Sequence, residues 1–131
     1  MSILIIGKNG QIGYELAQAC DAAGLDYHAV GRDEIDLSSS DSIMNFFKTN
    51  NKYKYIINAA GYTKVDQAED EPELANKINH LAVRELALIC KKHDITLIHF
   101  STDYVFDGKK NTLYNEEDIT NPLGVYGDTK L

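Results

Sequence analysis

The amino-acid sequence predicts a doubly wound α/β fold, one parallel sheet with helices on both faces. Three observations lead there. Short apolar runs rich in β-branched residues alternate with longer stretches of helical periodicity, the pattern that gives parallel pairing through helical crossovers. The first of these runs leads straight into three glycines spaced for a tight strand-to-helix turn. The chain has 131 residues, 44% of them hydrophobic, which suffices for one core and predicts one domain.

Taken in order, Ser2-Ile3-Leu4-Ile5-Ile6 reads as a buried strand. Gly7-Lys8-Asn9-Gly10-Gln11-Ile12-Gly13 follows as G-x-x-G-x-x-G. Tyr14 to Ala23 continues as a helix, with Ile12, Leu16, Ala17 and Cys20 at helical spacing. Asp26 to Val30 reads as the second strand. Ser40 to Asn50 reads as a helix whose Ile43, Met44, Phe46 and Phe47 form an apolar stripe. Tyr53 to Ala59 is the third strand. A long helix is expected from Pro72 to His93: Asp70 and Glu73 suit its electropositive start, and Leu74, Ile78, Leu81, Leu88 and Ile89 recur at helical spacing. Ile95 to Ser101 is the fourth strand, and Gly108 to Pro122 reads as a polar surface loop able to frame a cleft. No internal repeat, low-complexity tract or interdomain linker interrupts the pattern.

A formal net charge of −7 argues against a nucleic-acid surface, which needs cations to replace phosphate counterions. It does not oppose a small anionic ligand held by backbone amides. No apolar stretch reaches the length of a membrane span, and the start of the chain lacks a basic segment followed by a signal-like core, so a cytoplasmic protein is expected. Cys20 and Cys90 sit in apolar helical stretches and read as reduced packing residues. His28, His80, His93 and His99 show no metal-ligand spacing; His99, inside a strand, reads as structural.

The chemistry-bearing residues all fall where strands end, the edge at which doubly wound sheets bind ligands. Glycines after the first strand permit close approach of a diphosphate, whose charge the amides and dipole of the helix start attract. A tight turn that binds nothing would use the same glycines, but their place after the first strand favours a dinucleotide. After the second strand comes Gly31-Arg32-Asp33-Glu34. Arg32 suits a ribose 2′-phosphate, Asp33 and Asp36 suit a free ribose hydroxyl, and Arg32 is equally readable as a solvated charge. NADPH and NADH therefore both remain open. Asn58-Ala59-Ala60-Gly61 puts small residues after the third strand, where backbone passes close to a cofactor or packs tightly. Thr102 follows the fourth strand, its hydroxyl available either to a ligand or to its own turn. Finally, Tyr126-Gly127-Asp128-Thr129-Lys130 spells Tyr-x-x-x-Lys. Four positions apart on a helix, Lys130 could favour ionisation of the Tyr126 phenol and make it a proton donor.

Gly7 to Gly13, Asn58-Ala59-Ala60-Gly61-Tyr62-Thr63-Lys64-Val65-Asp66, Ser101-Thr102-Asp103-Tyr104-Val105-Phe106 and Pro122-Leu123-Gly124-Val125-Tyr126-Gly127-Asp128-Thr129-Lys130-Leu131 appear together and in one order. In this combination the chain resembles the dTDP-4-dehydrorhamnose reductases of the extended short-chain dehydrogenase/reductase superfamily, over essentially its whole length. The resemblance implies a Rossmann-like domain that reduces the 4-keto group of dTDP-6-deoxy-L-lyxo-4-hexulose to give dTDP-L-rhamnose with NADPH or NADH. It implies that Tyr126 donates the proton, that Lys130 lowers its pKa and holds the nicotinamide ribose, and that Thr102 bonds the substrate oxygen with Asp103 beside the sugar. Gly7, Gly10, Gln11, Ile12, Gly13, Ala60, Gly61, Tyr62 and Thr63, together with Tyr126 and Lys130, would form the cofactor surface. Arg32, Asp36 and Leu37 would lie at its adenosine end. Asn79 resembles the helix asparagine that supports the superfamily active site. Glu15 matches a carboxylate at a magnesium-linked dimer contact in some members, but a single surface glutamate reads as solvated, so no metal site is assigned. A homodimer is compatible with the resemblance.

Gly124 stands where the family commonly has asparagine, a change that alters loop rigidity beside Tyr126. Family members run to roughly twice this length, so the resemblance implies that residues 1–131 are the NAD(P)-binding domain without the C-terminal substrate-binding region. On that expectation the Tyr126 helix has little support of its own, and the chain binds cofactor weakly and turns over little or nothing. Two other readings compete: a noncatalytic regulatory subunit of methionine adenosyltransferase, and another nucleotide-sugar reductase or epimerase with the same proton donor.

Overall fold

The computed structural model describes residues 2–131. The apolar runs form four strands, β1 (Ile3–Ile6), β2 (Tyr27–Val30), β3 (Tyr55–Asn58) and β4 (Thr96–His99), all parallel in the order β2-β1-β3-β4. Their register brings Val30, Ile6, Asn58 and His99 into one row at the carboxyl edge. Whatever follows each strand therefore meets at that edge.

Helix α1 (Gln11–Ala23) packs on β1 and β2 and ends at Gly24, whose φ of 63° is the left-handed conformation that closes a helix without steric cost. Helix α2 (Ser40–Thr49) is capped by Ser39, whose hydroxyl accepts from the Ser42 amide. α3 (Val65–Ala68) is a single short turn. The expected long helix runs from Pro72 to His93, but in three parts: α4 (Pro72–Asn76), a π-helical turn (Lys77–Leu81) and α5 (Ala82–His93). A 3-10 turn (Asp103–Val105) and α6 (Val125–Lys130) complete the chain. Among the described residues no helix is long and apolar enough to cross a membrane.

Side chains alternate across a strand, so Leu4 and Ile6 share one face while Ile5 points to the other. The first face packs with Val30 and Ile56 against Ile43 and Phe47 of α2 and Leu86, Ile89 and Cys90 of α5. Each such side chain removed from water contributes about 1.5–3 kcal/mol, making this layer the main source of stability. Ile5 is also fully buried, with α1 on its side of the sheet. Both cysteines are free and buried.

The strands are shorter than the sequence predicts because the terminal residues leave the ladder to enter turns. The α3 helix and the 3-10 turn were not expected, since four and three residues are too few to show a period. The first helix begins at Gln11 rather than Tyr14, with Gly10 as its extended cap. Gly108 to Pro122 carries no helix or strand, in line with its turn-rich composition.

A candidate site: a cleft at the carboxyl edge beside a tethered tyrosine-lysine helix

The glycine turn is shaped by two close approaches of backbone to backbone. Gly7 has φ of 102°, and a Cβ placed on it would lie 2.8 Å from the Ala60 amide nitrogen. Only glycine fits between the β1 and β3 connections. Gly13, buried in the first turn of α1, meets the Gly7 carbonyl so closely that any side chain would overlap it. The turn is drawn tight against the strand end as a result.

Above it lies a cavity of about 570 Å³ lined by Gly7, Gly10, Gln11, Ile12, Arg32, Asp36, Leu37, Ala60, Gly61 and Thr63. Ten residues from three separate strand ends, each predicted to face a cofactor, are thus brought together. Gly13 lies buried beneath the turn. The first turn of α1 has no side-chain cap and no acidic residue. Its Gln11, Ile12 and Gly13 amides precede the first intrahelical donor, Tyr14, which bonds Gly10. Such amides attract an anion.

At the β2 end the carboxylates are already occupied. Glu34 accepts from Lys8 at 2.5 Å and from the Gly31 amide at 2.8 Å, and these bonds, Lys8 first, hold its carboxyl below the usual range. Asp36 accepts from the Ser38 amide and hydroxyl at 2.9 and 2.7 Å and pairs with Arg32 at 3.3 Å. Burial pushes Asp36 up, but the Ser38 bonds and the Arg32 charge outweigh it and hold its carboxyl low. Arg32 keeps a mostly exposed guanidinium at the cavity mouth.

Tyr62 takes a different place from its predicted neighbours. Its side chain is buried away from the cavity and its hydroxyl donates to Glu71 at 2.5 Å; burial first, then that bond, push the phenol up to about 12. Its main chain is clamped by Asn79 in the π turn, whose Oδ1 accepts from the Tyr62 amide at 2.8 Å and whose Nδ2 donates to the Tyr62 carbonyl at 3.1 Å. The same Nδ2 donates to Thr129 Oγ1 at 3.2 Å, and Thr129 donates on to the Tyr126 carbonyl at 3.0 Å. The extra residue of the π turn thus puts a buried amide between the cofactor-side loop and α6.

Helix α6 is short and sits firmly among its neighbours, contrary to the expectation that it lacks support. Glu69 accepts from the Val125 amide at 2.8 Å and serves as its cap from a distant segment. Gly127 is buried against the Tyr104 carbonyl with no room for a side chain. The Tyr104 and Tyr126 rings meet edge to face at 5.4 Å. Lys130 Nζ donates to the Phe100 carbonyl at 2.5 Å and lies 3.4 Å from His99 Nε2. Burial lowers the Lys130 pKa. Among the described residues no hydrogen bond joins Lys130 to Tyr126, although the two share a helix.

Tyr126 and Asp103 line a second cavity of about 490 Å³ with Val65, Tyr104 and Tyr114. Thr102 holds its own turn: its hydroxyl accepts from the Tyr104 amide and donates to Asp103, both at 3.3 Å. Glu15 is exposed on α1, and no group of three or more metal-ligating side chains occurs among the described residues. The sequence holds no sign of Glu69; it shows Asn58 only as the head of the small-residue motif and His99 only as a structural histidine in an apolar strand, and neither reading places Asn58 beside His99 or His99 beside Lys130.

A family model described as RmlD substrate binding domain matches residues 1–131. A dTDP-4-dehydrorhamnose reductase of Burkholderia thailandensis is 40% identical over 131 residues, covering 100% of this chain and 43% of that protein. The Escherichia coli K12 enzyme of the same name is 39% identical, over 100% of this chain and 44% of its own length. The chain thus spans less than half the length of these curated relatives. Among solved structures, a dTDP-4-dehydrorhamnose reductase of Clostridium acetobutylicum superposes with a TM-score of 0.93 at 34% identity, covering 99% of this chain and 46% of that one. One from Bacillus anthracis, in complex with NADP, has a TM-score of 0.90 at 32% identity, covering 98% and 46%.

Proposed function

The chain belongs to the RmlD substrate-binding-domain family, and from that premise we propose that residues 1–131 form the NAD(P)-binding domain of a dTDP-4-dehydrorhamnose reductase. The observation that carries this reading is the uncapped start of α1 opening into the 570 Å³ cavity. Gly7 and Gly13 let the backbone close tightly there, and the free amides of the helix start suit the charge of a diphosphate. Bound there, NADPH or NADH supplies the hydride for the 4-keto carbon of dTDP-6-deoxy-L-lyxo-4-hexulose.

The chain's own residues do the rest. Gly7, Gly10, Gln11 and Ile12 cradle the diphosphate, Arg32, Asp36 and Leu37 bound the adenosine end, and Ala60, Gly61 and Thr63 line the middle. Tyr62 contributes through its clamped main chain. Tyr126 gives its phenol proton to the carbonyl oxygen as that oxygen becomes a hydroxyl, while the Lys130 charge favours the phenolate left behind. Thr102 orients the same oxygen once its hydroxyl turns from the Tyr104 amide, and Asp103 lies beside the sugar.

Calorimetric titration of this chain with NADPH and NADH tests the cofactor half, and saturable binding of either is expected. Binding of neither overturns it. In a preparation that turns over the dTDP-4-keto sugar, Tyr126→Phe is expected to lower kcat by at least about 100-fold with unchanged cofactor affinity. Undiminished turnover removes Tyr126 as the proton donor.

A further inference from the structure

His99 takes no part in the chemistry above, yet it is the side chain placed between the sheet edge and Lys130. Its Nδ1 lies 3.2 Å from Asn58 Nδ2, and its Nε2 lies 3.4 Å from Lys130 Nζ. Asn58 is 1% exposed, and its Oδ1 accepts from the Ala60 amide at 3.2 Å. That bond fixes which way the amide points: reversing it would set two donors against each other at Ala60. The NH₂ group of Asn58 therefore faces His99, and Nδ1 must offer a lone pair. A neutral ring with its lone pair on Nδ1 carries its proton on Nε2, the atom nearest Lys130.

We propose that His99 is a positioning residue for Lys130, with Asn58 selecting through the ring tautomer that the lysine meets an N–H rather than a lone pair. Lys130 is then left with one acceptor, the Phe100 carbonyl, and is turned toward the carboxyl edge of β4. Burial first, then the Lys130 charge, hold His99 below its usual value, while a hydrogen bond at the Asn58 main chain pulls the other way. An imidazolium would also need a proton on Nδ1, facing the Asn58 NH₂. Both effects favour the neutral ring, whose Nε2–H dipole points its positive end at the lysine.

The other charged groups on elements packed against α6 are committed elsewhere or distant from this contact. Glu69 bonds the Val125 amide, Glu71 bonds Tyr62, and Asp103 bonds Thr102. Asp66 on α3, Glu73 on α4, Lys77 and His80 in the π turn, and Asp128 on α6 itself make no ion pair with Lys130. Burial lowers the Lys130 pKa, and no ion pair counters it. Resting on the reductase reading, this makes His99 the residue that directs where Lys130 places its ammonium on the Tyr126 helix.

Nitrogen-15 spectroscopy of the labelled chain reads the tautomer without any variant. A neutral ring protonated at Nε2 is expected at neutral pH. A ring protonated at Nδ1, or charged near neutrality, overturns the proposal. Asn58→Asp keeps the acceptor for Ala60 but replaces the NH₂ with a carboxylate. It is expected to move the ring proton to Nδ1 and raise the Lys130 titration by about one unit. Because the new charge acts on Lys130 by itself, the same substitution is made in a His99→Phe background, where the shift must fall to less than half. An equal shift overturns the proposal. A wild-type chain that binds neither NADPH nor NADH defeats the reductase reading and leaves the tautomer result to stand by itself.

Discussion

The two ends of the cleft are built by different means. At the glycine-turn end, the contact of Gly13 with the Gly7 carbonyl is made within seven residues, and one longer approach sets Gly7 against the Ala60 amide. At the Tyr126 end, a six-residue helix is held by Glu69, Asn79, Phe100 and Tyr104, each contributed by a distant segment. The first end rests mainly on backbone packed against backbone. The second depends on long-range bonds, each worth about 1 kcal/mol, so it loosens by increments. Both ends use a glycine to let backbones touch, yet Gly127 meets a carbonyl 23 positions earlier in the chain.

Gly13→Val should break the local end outright. With no space between α1 and the Gly7 carbonyl, a loss of about 3 kcal/mol or more is expected in urea denaturation, together with loss of dinucleotide binding. Wild-type stability in this variant would show that the turn can relax and that its close contact is incidental.

Asn79→Leu should divide the two ends. Removing three hydrogen bonds strands the Tyr62 amide and carbonyl, and about 2 kcal/mol of stability should be lost. Amide hydrogen exchange should accelerate at Tyr126 and Thr129 far more than in β1. Uniform acceleration would mean that the π turn supports the whole fold rather than joining one loop to α6.

Glu69→Ala should have the smallest effect. It removes a cap from an exposed helix start, so about 1 kcal/mol or less is expected. The change should show as faster exchange in α6 with the α1 turn untouched. Altered NADPH affinity in this variant would show that the two ends communicate and are not independent constructions.

The alternation of strands and helices along the chain and the glycine turn were legible because each rests on a short-range pattern: Leu4-Ile5-Ile6, the glycine spacing, and the stripe of Ile43 and Phe47. For Tyr62 the resemblance implies a place on the cofactor surface beside Gly61 and Thr63, which line the cavity; which part of Tyr62 faces that side is set by burial of its ring and the bond of its hydroxyl to Glu71, and no local pattern shows this. The Tyr126 helix looked unsupported because its supports are scattered single residues.

The sequence alone determined the parallel α/β order, the site at the carboxyl edge and the residue types gathered there, because periodicity and turn chemistry act over a few residues. Only the tertiary structure decided which side chains meet: Lys130 with Phe100 and His99, Asn79 with Thr129, Glu69 with Val125. Such contacts form between groups brought together by packing, and their hydrogen-bond direction depends on the burial and orientation of each partner, which no local pattern encodes.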